Sequence, residues 1–299
     1  MNRIIEVNLP LRYPKQHQKM SNVISAVISG SNDRKMPLDL HLPEEKNAPL
    51  VIMVHGFKGF KDWGHFPLVG DAFAAAGFAF LRFNFSHNGT TPESPSDFVD
   101  LEAFAENNLI KELDDVQIIL DALRDAGLFS EASIDLSNTF IIGHSRGGGI
   151  ALISSAEDDR IKGLSTWAAV NHYDREGFPL DVWEKHGKIL IPNARTGQEM
   201  PMNWQFVEVM KANMNRLSIK LQSEKVNVPT LVIHGTEDPT VPYSEGKEMA
   251  GWNDSFELFT VDQADHSFGG KHPLVEETLS KHMQVVVDAT IRHFKSLIP

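Results

Sequence analysis

The sequence predicts an α/β architecture in which a mostly parallel central sheet carries helices on both faces and an inserted cap. Three observations point there. Short apolar runs at 50–54, 78–83, 139–142, 230–233 and 256–259 alternate with helical patterns, as expected of parallel strands covered on both faces. Gly143-His144-Ser145-Arg146-Gly147 stands where one such run gives way to a helical pattern. Residues 171–225 then break the rhythm, because they exceed the length of an ordinary connection between two strands.

The elements follow in order. Strands over 22–28 and 36–42 flank Gly30-Ser31-Asn32-Asp33, a hairpin turn. The run at 50–54 is a buried strand, followed by a helix around 65–76 and a second buried strand over 78–83. A long helix is expected over about 98–126, with Leu109, Leu113, Val116, Leu120 and Leu123 on one stripe. The strand at 139–142 runs into Gly143, a helix starts from Gly147, and another strand lies near 163–170. Within 171–225, which hold Trp183, Pro192, Trp204 and Phe206, helices are expected near 202–216. Strands at 230–233 and 256–259 precede a closing helix from about 274 to 296, where Leu279, Met283, Val286, Thr290, Ile291 and Phe294 roughly keep helical spacing. The organisation is therefore a core of 1–170 and 226–299 with a helical cap at 171–225. That cap covers the carboxyl edge of the sheet or, alternatively, decorates the fold away from it.

Composition narrows the chemistry. The chain of 299 residues is long enough to bury a large core, and its 41% hydrophobic fraction lies outside the disordered range. It has no cysteine, which excludes disulfides, Cys-ligated metals and a thiol nucleophile. A net charge of −12 argues against binding a phosphate backbone. Residues 1–20 mix charges and prolines with no apolar core of signal-peptide length, and no apolar run is long enough to span a bilayer. The expected location is cytoplasmic, with no nucleic-acid or membrane partner.

The glycine-flanked serine is the most informative motif. A serine on so sharp a strand-to-helix turn occupies strained backbone, and side chains two positions to either side would clash. Gly143 and Gly147 remove them, and the new helix aims its free N–H groups at the same point. A serine hydroxyl needs a base and a group that orients the base. Four histidines follow the late strands: His266, His272, His282 and His293. His282 and His293 fall on the closing helix, and His272 precedes Pro273 at its entry. His266 lies in a loop directly after a strand, where an imidazole reaches the serine. For the acid, Asp238 follows the 230–233 strand, with Glu237 as competitor and Asp265 as a weaker one. Negative charge developing on an acyl oxygen needs N–H donors. Arg146 supplies one, just after the serine, and the loop from His55 to Trp63 supplies the other, with Phe57 as candidate. His55 reads as an orienter of that loop, and Phe57 and Phe60 also read as ordinary packing residues.

The motifs His55-Gly56-Phe57, Gly143-His144-Ser145-Arg146-Gly147-Gly148, the stretch from His234 to Pro242 and Ala264-Asp265-His266-Ser267-Phe268 together resemble the α/β-hydrolase superfamily. Within it the chain is similar to bacterial cinnamoyl and feruloyl esterases and to prolyl oligopeptidase-type hydrolase domains, over about residues 22–298. The resemblance implies an α/β-hydrolase fold, a triad of Ser145, Asp238 and His266, and an oxyanion hole from Phe57 and Arg146. Arg82-Phe83-Asn84-Phe85-Ser86-His87-Asn88-Gly89 is similar to a family stretch in which the place of His87 is taken by glycine. Dienelactone hydrolases share the fold but use a cysteine nucleophile, which this chain lacks.

The expected function is hydrolysis of a small-molecule carboxylic ester, with a short acyl or aromatic-acyl group, through an acyl-enzyme, with no metal and no organic cofactor. A serine aminopeptidase or oligopeptidase, an acyltransferase or thioesterase, and a ligand-binding pseudo-hydrolase stand as alternatives. In the cap, Trp183, Trp204 and Phe206 are candidates to stack an aromatic or acyl group. Tyr173, Arg175, Lys188 and Arg195 are candidates to meet a phenol, carboxylate or sugar. All of them read equally well as packing or solvated surface.

Overall fold

The computed structural model describes residues 21–174 and 178–299. The reading of residues 1–20 and the candidate Arg175 lie outside the described residues. The chain opens with an antiparallel pair, β1 (Asn22–Ser29) and β2 (Lys35–Leu42), joined through a short 3-10 turn. There follow β3 (Ala48–Val54), α1 (Phe66–Ala75), β4 (Ala79–Phe83), α2 (Leu101–Ala105), α3 (Leu109–Arg124), β5 (Ile134–His144), α4 (Arg146–Glu157) and β6 (Ile161–Trp167). Next come α5 (Leu180–His186), β7 (Lys188–Pro192), β8 (Glu199–Asn203), α6 (Gln205–Ala212), α7 (Met214–Leu217) and α8 (Ile219–Ser223). The chain closes with β9 (Thr230–Gly235), α9 (Tyr243–Ala250), β10 (Phe256–Val261) and α10 (Lys281–Lys295).

Eight strands form one sheet in the order β1-β2-β4-β3-β5-β6-β9-β10. The six from β4 to β10 are mutually parallel, and β2 joins them antiparallel along β4. Alternate residues of each buried strand enter opposite cores. Leu50, Ile52, Val54, Ile141 and Val232 pack with α3, α4 and α9 on one face. Val51, Met53, Phe140, Ile142 and Ile233 pack with α1 and α10 on the other. That double coverage is why these strands read as continuous apolar runs rather than as alternation.

Three expectations are corrected. The helix expected over 98–126 is two helices, α2 and α3. Asn108 is extended and accepts from the Lys111 N–H at 3.0 Å, so it caps a new helix instead of continuing the old one. The stripe from Leu109 to Leu123 is nonetheless buried along α3. The closing helix begins at Lys281, where Ser280 caps it by accepting from the Met283 N–H. His272-Pro273 therefore lies in the preceding loop. Within 171–225 the expected helices are joined by an antiparallel hairpin, β7 on β8, in which Met200 and Met202 face inward. This segment builds a third apolar cluster. Trp183, Met200, Met202 and Val207 pack on Phe60, Phe98 and Phe104 of the core. Among the described residues no helix is long and apolar enough to cross a membrane.

One buried carboxylate on α3 ties the β1–β2 turn to the loop after β4. Asp115 is 1% exposed, and its two oxygens accept the N–H groups of Ser31 and Ser86, each at 2.8 Å. Burial pushes its pKa up to about 6, against those hydrogen bonds. Asp115→Asn turns an NH2 toward one of the two donors. It is expected to destabilise the fold by about 1–3 kcal/mol. Urea unfolding checks this, and an unchanged midpoint contradicts it.

Candidate active site

Because β3, β5, β9 and β10 run parallel, the loops leaving them gather at one sheet edge, where ligands of open α/β sheets bind. The loop after β5 is the serine turn. Ser145 holds φ 56° and ψ −122°, a strained conformation that costs about 1–3 kcal/mol in a residue with a side chain. The turn is pinned to the end of β6: the Ser145 N–H donates to Trp167 O at 2.9 Å, and Ser145 O accepts from the Val170 N–H at 3.2 Å. Its glycines answer to close backbone. A Cβ at Gly143 would stand 2.2 Å from the Gly147 carbonyl oxygen, and one at Gly147 would stand 2.4 Å from that of His55.

The loop after β10 carries His266 to the serine. Its Nε2 lies 3.0 Å from Ser145 Oγ and its Nδ1 lies 2.8 Å from Asp238 Oδ2. The Asp238 side chain is fully buried at the end of β9. Burial raises its pKa, but hydrogen bonds from His234 and His266 and from the Val241 N–H outweigh burial and hold it well below the usual carboxylate range. Its other oxygen accepts the N–H groups of Thr240 at 2.8 Å and Val241 at 2.9 Å. An ionised carboxylate only accepts, so Nδ1 of His266 carries the proton and Nε2 is free to accept from the serine hydroxyl.

The competitors lie elsewhere. Glu237 is exposed, and Asp265 accepts the Ser267 and Gly269 N–H groups within its own turn. His272 accepts the Gly64 N–H at 3.1 Å and packs on Phe60 and Trp63, while His282 and His293 lie on α10.

The loop after β3 lies against the serine turn, since a Cβ at Gly56 would stand 2.9 Å from Ser145 Cβ. His55 orients this loop. Its Nδ1 donates to Gly56 O at 2.9 Å, its Nε2 accepts from the Phe85 N–H, and burial drives its pKa down to about 4, so the ring is neutral. Phe57 follows Gly56, and its ring packs 5.6 Å from that of Phe104. Phe60 is fully buried in the third cluster. The Arg146 N–H belongs to the first turn of α4, where helix donors have no acceptor within the helix.

Sequence reasoning missed several supporting groups. Glu112 on α3 is 2% exposed and is bonded to the Arg146 guanidinium. A carboxylate between the apolar positions of the α3 stripe was the available signal. His144 donates from Nε2 to His266 O at 2.9 Å, with its pKa driven down to about 3 by burial, and so fixes the loop that carries His266. Of the candidates within 171–225, Trp183 is core: it is 2% exposed, donates to Met202 O and stacks on Phe206. Burial raises the Tyr173 hydroxyl well above the usual phenol range. Lys188 is exposed at the start of β7. The Arg195 guanidinium lies over the rings of Phe60 and Phe98. His87, in the place of the family's glycine, is 1% exposed beside Ser86 Oγ.

Residues 51–277 match the family model described as alpha/beta hydrolase family. The chain belongs to the α/β hydrolase family. As a member of that family it is a hydrolase, and the similarity to solved structures extends along nearly the whole chain. Est1E from Butyrivibrio proteoclasticus with ferulic acid bound shares 20% identity, with 91% of this chain and 99% of that one covered and a TM-score of 0.68. A dienelactone hydrolase from Anabaena variabilis shares 15%, with 94% and 100% covered and a TM-score of 0.62. A puromycin-hydrolyzing peptidase from Mycobacterium tuberculosis shares 16%, with 97% of this α/β hydrolase and 41% of that chain covered and a TM-score of 0.63. At these identities the likeness shows the fold. No curated protein matches the chain in sequence.

Proposed function

We propose that this α/β hydrolase cleaves small-molecule carboxylic esters through an acyl-enzyme on Ser145. One observation carries the reading: His266 lies within hydrogen-bond reach of Ser145 Oγ and of a buried Asp238 carboxylate at once. His266 takes the hydroxyl proton as Ser145 attacks the carbonyl carbon. The N–H groups of Phe57 and Arg146 receive the oxyanion, His266 protonates the departing alkoxide, and the same imidazole then activates water against the acyl-enzyme. Residues 171–225 are the candidate cap, and their Trp204 and Phe206 are half-buried against the third apolar cluster, on which Phe57 also packs.

A serine peptidase would use the same relay, and substrate preference separates it from an esterase. An acyltransferase or thioesterase would share every step up to the acyl-enzyme. A panel of p-nitrophenyl acetate, p-nitrophenyl butyrate, methyl hydroxycinnamates and aminoacyl arylamides tests the assignment, with Ser145→Ala as blank. The expected result is higher kcat/KM on the esters, and faster turnover of the arylamides contradicts it.

A further inference from the structure

We infer that the Glu112–Arg146 pair is a positioning device that holds the two oxyanion-donor segments at a fixed separation. The inference rests on the proposed roles of Phe57 and Arg146. The Arg146 guanidinium leaves the first residue of α4 and lies 4.4 Å from the centroid of the Phe57 ring. The side chain of one donor residue is thereby stacked on the side chain of the other. Glu112 holds the guanidinium from α3. The same Glu112 oxygen accepts from Asn107 Nδ2 at 2.8 Å, and Asn107 O accepts from Gln205 Nε2 of α6 at 2.9 Å. The Phe57 ring also packs against Phe104 of α2. The guanidinium thus joins the start of α4 to the loop after β3, and both to the helices beside them.

Stability is a poor reason for such a pair. The Glu112 side chain is 3% exposed and that of Arg146 is 13% exposed, and a buried ion pair stabilises little relative to apolar residues of similar volume. Charge is a poor reason too, because Glu112 offsets the cation next to the developing oxyanion. What remains is geometry, since donors contribute to an oxyanion only when aimed at its position. One guanidinium nitrogen bonds Glu112 while the flat face of the group lies over the Phe57 ring, a combination that a lysine ammonium does not offer.

Steady-state kinetics on an ester, with a trifluoromethyl ketone as transition-state analogue, test this. Arg146→Lys, Phe57→Leu and Glu112→Ala all keep the backbone donors. Arg146→Lys and Phe57→Leu are each expected to lower kcat by about 10- to 100-fold with KM changed less than about threefold, and to raise the ketone Ki by the same factor. Glu112→Gln, which keeps the acceptor oxygen, is expected to recover most of the rate lost in Glu112→Ala. The double change Glu112→Leu with Arg146→Met leaves no unpaired charge, so it is expected to fold and to show the same kcat loss. Unchanged kcat in both Arg146→Lys and Phe57→Leu overturns the inference, as does a loss carried by KM with an unchanged ketone Ki. Should Ser145→Ala keep full activity, the acyl-enzyme reading fails instead, and the two failures are distinct.

Discussion

Ser145→Ala is expected to lower kcat for ester hydrolysis by about 10⁴- to 10⁶-fold, because the acyl-enzyme path is removed and only the oxyanion donors and binding remain. At about 1.4 kcal/mol per factor of ten, that is a loss of about 5–8 kcal/mol of transition-state stabilisation. The fold is expected to survive. The hydroxyl has one side-chain partner, His266 Nε2, and alanine meets the same positive φ that serine already tolerates. Thermal melting beside the kinetics separates the two effects. A variant with wild-type melting and wild-type turnover contradicts the nucleophile assignment.

Asp238→Asn is expected to lower kcat by about 10³- to 10⁴-fold, and the hydrogen bonds around Asp238 say why. One oxygen receives the Thr240 and Val241 N–H groups, so in asparagine the amide oxygen stays there. The NH2 then faces His266 Nδ1, which must become an acceptor. The proton moves to Nε2, and the ring presents a donor to the serine hydroxyl instead of a base. A pH consequence follows. The folded pKa of Asp238 is lowered from an ordinary 3.8, so its ionised form stabilises the fold fully above that value. The contribution is lost as pH falls through the lower folded pKa. The stability difference between wild type and Asp238→Asn is therefore expected to shrink on acidification below about pH 4. Kinetics together with urea melts across pH check both parts. A variant retaining more than a tenth of the rate contradicts the tautomer argument.

Much of the fold was legible because the runs at 50–54, 139–142 and 230–233 are covered on both faces, a state that marks sequence strongly. The serine turn was legible because steric demands at Gly143 and Gly147 reach the sequence directly. His266 and Asp238 stood as leading candidates because each follows a strand that ends at the same edge. Three features were hidden. The break at Asn108 depends on a single side-chain cap inside an otherwise periodic stretch. The β7–β8 hairpin is two short strands whose inward residues, Met200 and Met202, suit a helix as well as a strand. The bond from Glu112 to Arg146 links positions 34 residues apart and was beyond any local pattern. The acid was ambiguous among Asp238, Glu237 and Asp265 until tertiary structure brought one of them to His266.

Ser145, His266 and Asp238 are proposed to act as one acyl-transfer relay. Its most direct test is intact-mass and peptide-mapping mass spectrometry of the chain treated with a fluorophosphonate. The expected result is one adduct per chain, on the peptide that contains Ser145, forming much more slowly in Asp238→Asn. No adduct, or an adduct on another residue in a chain that hydrolyses esters, would contradict it.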